Sequence, residues 1–387
     1  MPAVDSAAPG VVGIAPGDPW DRRTWSAASH NIFRALARRR ALLGAVSALP
    51  PEPLELAAKA AAFSPDRARW VERYEYSPLR RAVRSRLATR RTAAIAAGRP
   101  YATLQIGAWY EVGEGRREPL LRASFHDANL ALFAREGGFI ADPEAPHVRR
   151  EMEIEKRVFD RMDVIFTLTD WLRDSFVEDF GQDPAKVVTT GGGPNASNLP
   201  DTVPERAPGP PRILFVGFDF ERKGGAFLLE AFGRLREDHP DAELWIVGPP
   251  PGAPAPGVTW HGPIDRGTAA GEAELARLHR EASAYVLTSR YEPLGFSLLE
   301  AMAYGLPCVG STRGGIQEVI DAPRTGLLVP AEDAAALATA LGELAADPAR
   351  AAAMGRAGFE RVRERYGWDR VAERILAELA ARAGGAG

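Results

Sequence analysis

Short apolar runs bounded by glycine, proline and polar residues alternate along this chain with longer amphipathic stretches. That alternation is the pattern of parallel sheets covered by helices. In the N-terminal half it predicts strands at 11–15, 104–107, 121–125, 164–168 and 187–190, and helices at 29–40 and 149–162. The stretch 50–100 is helix-rich, fits no sheet strand, and carries Arg67, Arg69, Arg73, Arg80, Arg81, Arg84, Arg86, Arg90 and Arg91. In the C-terminal half the predicted strands are 213–217, 243–248, 258–261, 284–287, 308–310 and 326–329, with helices between them and at 333–345, 348–364 and 368–381.

The segment PDTVPERAPGPP at 200–211 has the proline density and polarity of a linker. It divides the chain into a Rossmann-like unit at 1–200, a second at 201–366, and a terminal helix and tail at 367–387. The fold class expected is α/β, with a parallel sheet in each unit. A chain of 387 residues has enough length for two such cores.

Two glutamates in YEPLGFSLLEAMAYG (291–305) carry the clearest chemical signal. Pro293 biases Glu292 away from helical geometry, Gly295 permits a tight backbone approach, and 296–304 reads as helix. Glu292 therefore sits on a loop before a helix N-terminus, and Glu300 lies inside the helix. Free N–H groups at such a terminus suit an anion, while flanking carboxylates accept hydrogen bonds from sugar hydroxyls. Upstream, RILFVGFDFERKGGAFLLEAF (212–232) reads as strand, loop and helix, with Gly217 ending the strand and Arg222 and Lys223 on the loop. A guanidinium fork and an ammonium at a strand's carboxyl end suit a diphosphate. Positive charge at a helix start opposes the helix dipole, which favours an anionic ligand there.

These segments, with GLPCVGSTRGGIQEVI (305–320) and TGLLVP (325–330), resemble the donor-binding domain of the retaining glycosyltransferases of family 4, which have the GT-B fold. The resemblance implies two Rossmann-like domains facing across a cleft, with the last helix crossing back to the first. It implies that Arg222 and Lys223 contact the donor diphosphate, Glu292 the donor sugar, Glu300 the ribose hydroxyls, and the backbone of Leu294, Gly295, Phe296 and Ser297 the phosphate or sugar. In SFHDAN (124–129) it implies that His126 is the active-site histidine, contacting the sugar from the opposite domain, and Asp127 beside it is a candidate for the acceptor side of the cleft. Attack within an ion pair on the front face is implied by the same resemblance, with no metal ligand and no cofactor.

The chain departs from that family in its first loop. Where many members are glycine-rich, GDPWDRRTWSAASHN (17–31) places Trp20, Trp25 and His30, whose rings suit an acceptor pocket. The function expected is transfer of a sugar from a nucleotide-diphosphate donor, UDP-sugar first and GDP-sugar second, to a glycan, lipid-linked or small-molecule acceptor. A GT-B sugar phosphorylase or epimerase and a non-catalytic nucleotide-sugar-binding protein are the alternatives. Base contacts are expected from the backbone of 248–252 and 261–265.

Composition narrows the partners. A net charge of −3 and a pI near 6.2 exclude a globally basic nucleic-acid binder. The early glycines lack G-x-G-x-x-G, which disfavours a nicotinamide oxidoreductase. A single cysteine, Cys308, forms no internal disulfide and reads as a core residue. No secretory signal and no apolar run of about 20 residues is visible, so a cytoplasmic location is expected. The arginines of 67–91 are expected on solvated helix faces, or on a surface for a charged acceptor or for anionic lipid head groups at the inner membrane face.

Overall fold

A computed structural model of the chain describes residues 9–113, 119–136, 142, 144–248 and 254–384. The expected base-contact positions 249–252 and the tail 385–387 lie outside the described residues. Among the described residues are two six-stranded parallel sheets.

The first sheet has the order β2-β1-β3-β4-β5-β6. Its strands are β1 (Gly10–Ala15), β2 (Leu42–Ser47), β3 (Tyr101–Ile106), β4 (Leu121–His126), β5 (Val164–Thr167) and β6 (Val187–Thr189). Between them run α1 (Ala28–Arg38), α2 (Glu52–Ala61), α3 (Arg67–Glu75), α4 (Pro78–Ala96), α5 (Leu130–Arg135), α6 (Pro146–Asp160) and α7 (Asp170–Glu178). β2 was not among the predicted strands. Arg40, at φ 57°, makes the left-handed turn after α1 that glycine usually makes, so no breaker separates helix from strand in the sequence. The helix-rich stretch resolves into α2, α3 and α4, with Ser77 capping α4 by accepting from the Arg80 N–H.

The second sheet has the order β12-β11-β10-β7-β8-β9. Its strands are β7 (Arg212–Val216), β8 (Glu243–Val247), β9 (Val258–Gly262), β10 (Ala284–Leu287), β11 (Cys308–Ser311) and β12 (Gly326–Val329). The helices are α8 (Gly225–Asp238), α9 (Ala269–Glu281), α10 (Phe296–Ala303), α11 (Ile316–Val319), α12 (Ala334–Ala346) and α13 (Pro348–Arg365). The strand order reverses between β7 and β10. In an open parallel sheet a ligand binds at that point, beyond the carboxyl ends of the strands. The loops carrying Arg222 and Glu292 come after β7 and β10 and so flank it.

The last helix, α14 (Trp368–Gly384), packs on the first unit. Its Val371, Ile375 and Leu379 are buried in the same apolar cluster as Ile32 and Leu36 of α1. Arg382 donates to the carbonyls of Asp163 and Ala185, and Arg374 to that of Thr190. The crossover 191–195 is pressed between units. A Cβ on Gly192 would lie 2.5 Å from Leu294, and one on Gly193 would lie 2.8 Å from the Trp368 nitrogen. No described helix is long and apolar enough to cross a membrane.

Candidate active site

A cleft of about 690 Å³ opens between the carboxyl ends of the two sheets. From the second unit it is lined by Gly217, Phe218, Asp219, Arg222 and Lys223 after β7, by Ile264 to Gly267 after β9, and by Tyr291 to Leu294, Phe296 and Ser297 after β10. From the first unit come Arg22, Arg23 and Ala27 after β1, and Asp127, Ala128 and Phe133 after β4, with Asn195 of the crossover.

The backbone explains how the cations reach this place. Gly224 is left-handed at φ 81° and starts α8, and a Cβ there would collide with the Thr288 carbonyl oxygen. The aliphatic part of Lys223 lies over Gly217, in space that a Cβ on the glycine would occupy. Lys223 Nζ then meets Glu292 Oε2 at 3.0 Å, with Arg222 Nη1 3.9 Å from the same oxygen. Arg222 is oriented by Asp219 (3.1 Å) and the Tyr291 carbonyl (2.5 Å). On the far side, Gly314 and Gly315 pack against the backbone of Glu292 and Pro293, and the Gly315 N–H donates to the Glu292 carbonyl at 2.9 Å. Two cations, a carboxylate and the N-terminus of α10 thus converge.

Of the expected donor-site residues, Gly217, Arg222, Lys223, Glu292, Leu294, Phe296 and Ser297 line the cleft. Gly295 does not. It is the left-handed N-cap of α10, at φ 87°. Glu300 does not reach the wall either. It is 2% exposed, and its Oε1 accepts from Arg266 Nη2 (2.8 Å) and the Asn195 N–H (3.1 Å). Arg266 is the residue on the wall, and its Nε also approaches Glu272 Oε1 at 3.3 Å. Glu272 in turn faces Arg22 of the first unit at 3.4 Å and accepts from the Ser197 N–H (3.0 Å) and hydroxyl (2.8 Å).

Within this quartet of two guanidiniums and two carboxylates, the surroundings favour the charged forms of Arg266 and Glu272. Burial works to lower the Arg266 pKa, but Glu300 and Glu272 outweigh it and raise it above the ordinary value. Burial likewise opposes ionisation of Glu272, and the Ser197 hydrogen bonds with Arg266 and Arg22 bring its pKa below the usual range. Removing one partner of a buried pair costs about 3–5 kcal/mol, whereas one hydrogen bond to a charged group returns about 1.5–3 kcal/mol.

The first unit requires a correction. His126 was expected to contact the sugar, but it is the last residue of β4 and points to the face covered by α6 and α7. Its ring lies 5.3 Å from Phe159 and 5.1 Å from Phe176, it is 2% exposed, and it is no part of the cleft wall. Burial pushes its pKa down to about 3, so it is neutral. Asp127, one residue on, lies on the wall. Burial, and then the Glu292 charge, push its carboxyl up to about 6 against a hydrogen bond from Trp25.

The aromatic acceptor candidates also lie elsewhere. Trp25 packs on Phe125 at 5.7 Å, Trp20 is 44% exposed near Phe33, and His30 Nδ1 bonds to the Trp20 carbonyl at 2.9 Å. None of the three lines the cleft. Ala27 does, in the left-handed region at φ 68°, where an alanine costs about 1 kcal/mol. Arg22, Arg266, Glu272 and Asn195 were missed from sequence. Arg22 and Glu272 stand 250 positions apart, and no local pattern joins them.

Known proteins share both the fold and part of the sequence. Residues 210–347 match the family model "Glycosyl transferases group 1". The chain is 30% identical over 266 residues to a glycogen synthase of Mycobacterium tuberculosis, covering 65% of this chain and 62% of that protein. It is 38% identical over 172 residues to a GDP-mannose-dependent alpha-(1-6)-phosphatidylinositol monomannoside mannosyltransferase of Mycolicibacterium smegmatis, covering 41% of this chain and 44% of that protein. The match thus spans less than two thirds of either relative. Among solved structures, sucrose-phosphate synthase from Thermosynechococcus elongatus superposes over 98% of this chain and 100% of its own, with a TM-score of 0.68 at 20% identity. The chain therefore has the GT-B fold, and residues 210–347 of its second domain are similar to the glycosyl transferases group 1 family.

Proposed function

We propose that the protein transfers a sugar from a nucleotide-diphosphate sugar to an acceptor, with retention of anomeric configuration and without a metal. The observation that carries this reading is the convergence of Lys223, Arg222, Glu292 and the α10 N-terminus at the strand-order reversal of the second sheet. As the anomeric bond breaks, negative charge develops on the departing diphosphate. Lys223, Arg222 and the free amides of α10 are fixed beforehand to neutralise it, and loss of one such donor typically costs about 10²-fold or more in rate. Glu292 orients the sugar hydroxyls. Asp127, in place of His126, faces the sugar from the first domain. The GDP-mannose dependence of the mannosyltransferase relative sets GDP beside UDP as a candidate carrier.

Isothermal calorimetry with UDP, GDP and ADP, with and without a chelator, tests the reading. One nucleotide is expected to bind in the micromolar range whether or not chelator is present, and Lys223→Ala should weaken it at least about tenfold, as loss of a charge-assisted contact does. Unchanged affinity in that variant would remove the site assignment.

We further infer that the first domain meets an anionic lipid surface. Support comes from exposed Arg67, Arg69, Arg73, Arg86 and Arg90, which share α3 and α4 and their neighbourhood with exposed Leu54, Leu56, Phe63, Val71 and Leu79. An acceptor embedded in or attached to such a surface would then be within reach of the cleft.

A further inference from the structure

A second pocket, of about 260 Å³, lies between α1, the loop after β1 and the crossover, and shares only Arg22 and Asn195 with the cleft. Asn31, Arg34 and Arg38 line it from α1, and their spacing of three and four residues puts them in one stripe along the helix. Asn31 fixes that stripe against the crossover, its Nδ2 donating to Asn195 Oδ1 at 2.8 Å. Arg22 enters from the loop after β1. Its Nη2 donates to the Asn195 carbonyl at 2.9 Å, and its Nε is buried without a partner. Pro194 and Trp368 add apolar wall.

Three guanidiniums therefore line the pocket, and among the described residues no carboxylate does. Acids stand behind two of them. Glu272 meets Arg22 at 3.4 Å but is shared with Arg266, and Asp369 meets Arg38 at 2.9 Å but is shared with Arg39. Arg34 is exposed and, among the described residues, has no hydrogen-bond or ion-pair partner. The excess of positive charge reaches His30, whose pKa is lowered by burial first and then by Arg22 and Arg34, against its hydrogen bond to Trp20. Like charges one turn apart on a helix repel, and an anion held between Arg34 and Arg38 reverses the sign of that interaction.

We propose that this pocket binds a phosphate dianion, free or as the monoester of a small metabolite, through Arg34, Arg38 and Arg22. A guanidinium fork matches two phosphate oxygens, and a tetrahedral group offers oxygens at once to forks arriving from the helix and from the loop. The volume is below that of sites for drug-sized ligands, which suits a phosphate with a short carbon skeleton and not a nucleotide. Lys223 and Arg222 line the cleft and not this pocket, so the site stands whether or not the cleft takes a nucleotide sugar.

Isothermal calorimetry of the full chain with orthophosphate and with glycerol 3-phosphate tests the proposal, at about pH 7.5, where both are mainly dianions, and at an ionic strength held constant with chloride. Because the cleft cations also suit phosphate, Lys223→Ala is the background in which the second site is read. Arg34→Gln, Arg34→Lys and Arg67→Gln are compared in it, with unfolding midpoints in chloride to show that each variant is folded. Saturable binding is expected in the Lys223→Ala protein, weakened at least about tenfold by Arg34→Gln. Arg34→Lys should fall between, since it keeps the charge and loses the fork. Arg67→Gln, which removes the same charge elsewhere on the first domain, should change nothing. Tighter binding of the ester than of orthophosphate would assign an organic phosphate, and equal binding the free ion. The proposal is overturned if Lys223→Ala abolishes all phosphate binding, if Arg34→Gln binds as the Lys223→Ala protein does, or if Arg67→Gln weakens binding as much as Arg34→Gln, since only net charge would then be sensed.

Discussion

His126 and Asp127 are neighbours with opposite surroundings because β4 ends between them. Successive residues of a strand face opposite sides. The histidine consequently enters the aromatic cluster under α6 and α7, and the aspartate emerges at the sheet edge into the cleft. Their effects on stability run in opposite senses with pH. His126 has a folded pKa near 3, below its ordinary 6.5, so the unfolded chain binds the proton first and stability falls as pH drops from 6.5 toward 3. Asp127 has a folded pKa near 6, above its ordinary 3.8, so the folded chain keeps the proton longer and stability falls as pH rises from 3.8 through 6. His126→Leu should flatten the loss of unfolding midpoint between pH 6.5 and 4.5 and leave nucleotide affinity at pH 7.5 unaltered. Asp127→Asn should flatten the opposite slope and slow transfer. Loss of turnover in a stable, nucleotide-binding His126→Leu protein would return the histidine to the cleft chemistry.

At the scale of elements, Glu318 of the four-residue α11 caps a helix of the other domain. Its carboxylate accepts from the Asp170 N–H (2.9 Å) and the Trp171 N–H (2.7 Å) at the start of α7. Anionic groups at a helix N-terminus are worth about 0.5–2 kcal/mol. Because α7 flanks the first sheet and α11 the second, Glu318→Ala should appear as a wider spread of domain positions, read as a larger radius of gyration in small-angle scattering, with Glu318→Gln intermediate. An unchanged radius would assign the closed arrangement to the apolar contacts of Leu294 and Trp368 instead.

The same scale explains what the sequence disclosed. The loops after β7 and β10 were legible because charge, proline and glycine fall within a few positions, each with a local consequence for the backbone. β2 was not, because Arg40 replaces the usual glycine turn. The Arg22, Glu272, Arg266 and Glu300 quartet was not, because its members come from loops and helices that only the tertiary fold brings together. The His126 expectation failed at one residue of register, where the residue type was suited to chemistry and the strand's alternation turned it inward.

Over the whole molecule, a net charge of −3 coexists with several exposed arginines on α3 and α4. Several arginines of 67–91 are used internally. Arg80 pairs with Glu55 and Glu75, Arg81 with Glu151, and Arg91 donates to the carbonyls of Ser47 and Leu49. Arg67, Arg69, Arg73, Arg86 and Arg90 remain exposed, Arg69 with Asp66 3.8 Å away, and Leu54, Leu56, Phe63, Val71 and Leu79 in the same stretch of chain are each more than half exposed. Exposed apolar side chains amid cations are matched by a lipid surface, where acyl chains take the former and anionic head groups the latter. Each basic residue near such a surface contributes about 1 kcal/mol, so converting three should cost on the order of 100-fold in partitioning. Co-sedimentation with vesicles rich in phosphatidylglycerol should therefore retain the protein at low salt, release it at about 0.5 M salt through screening, and fail with phosphatidylcholine alone. Arg67→Glu, Arg69→Glu and Arg73→Glu together should abolish retention while nucleotide affinity, which we propose is set across the sheet ends by Lys223 and Arg222, stays the same. Equal retention of that variant would mean that these arginines serve solvation alone and that the acceptor reaches the cleft from solution.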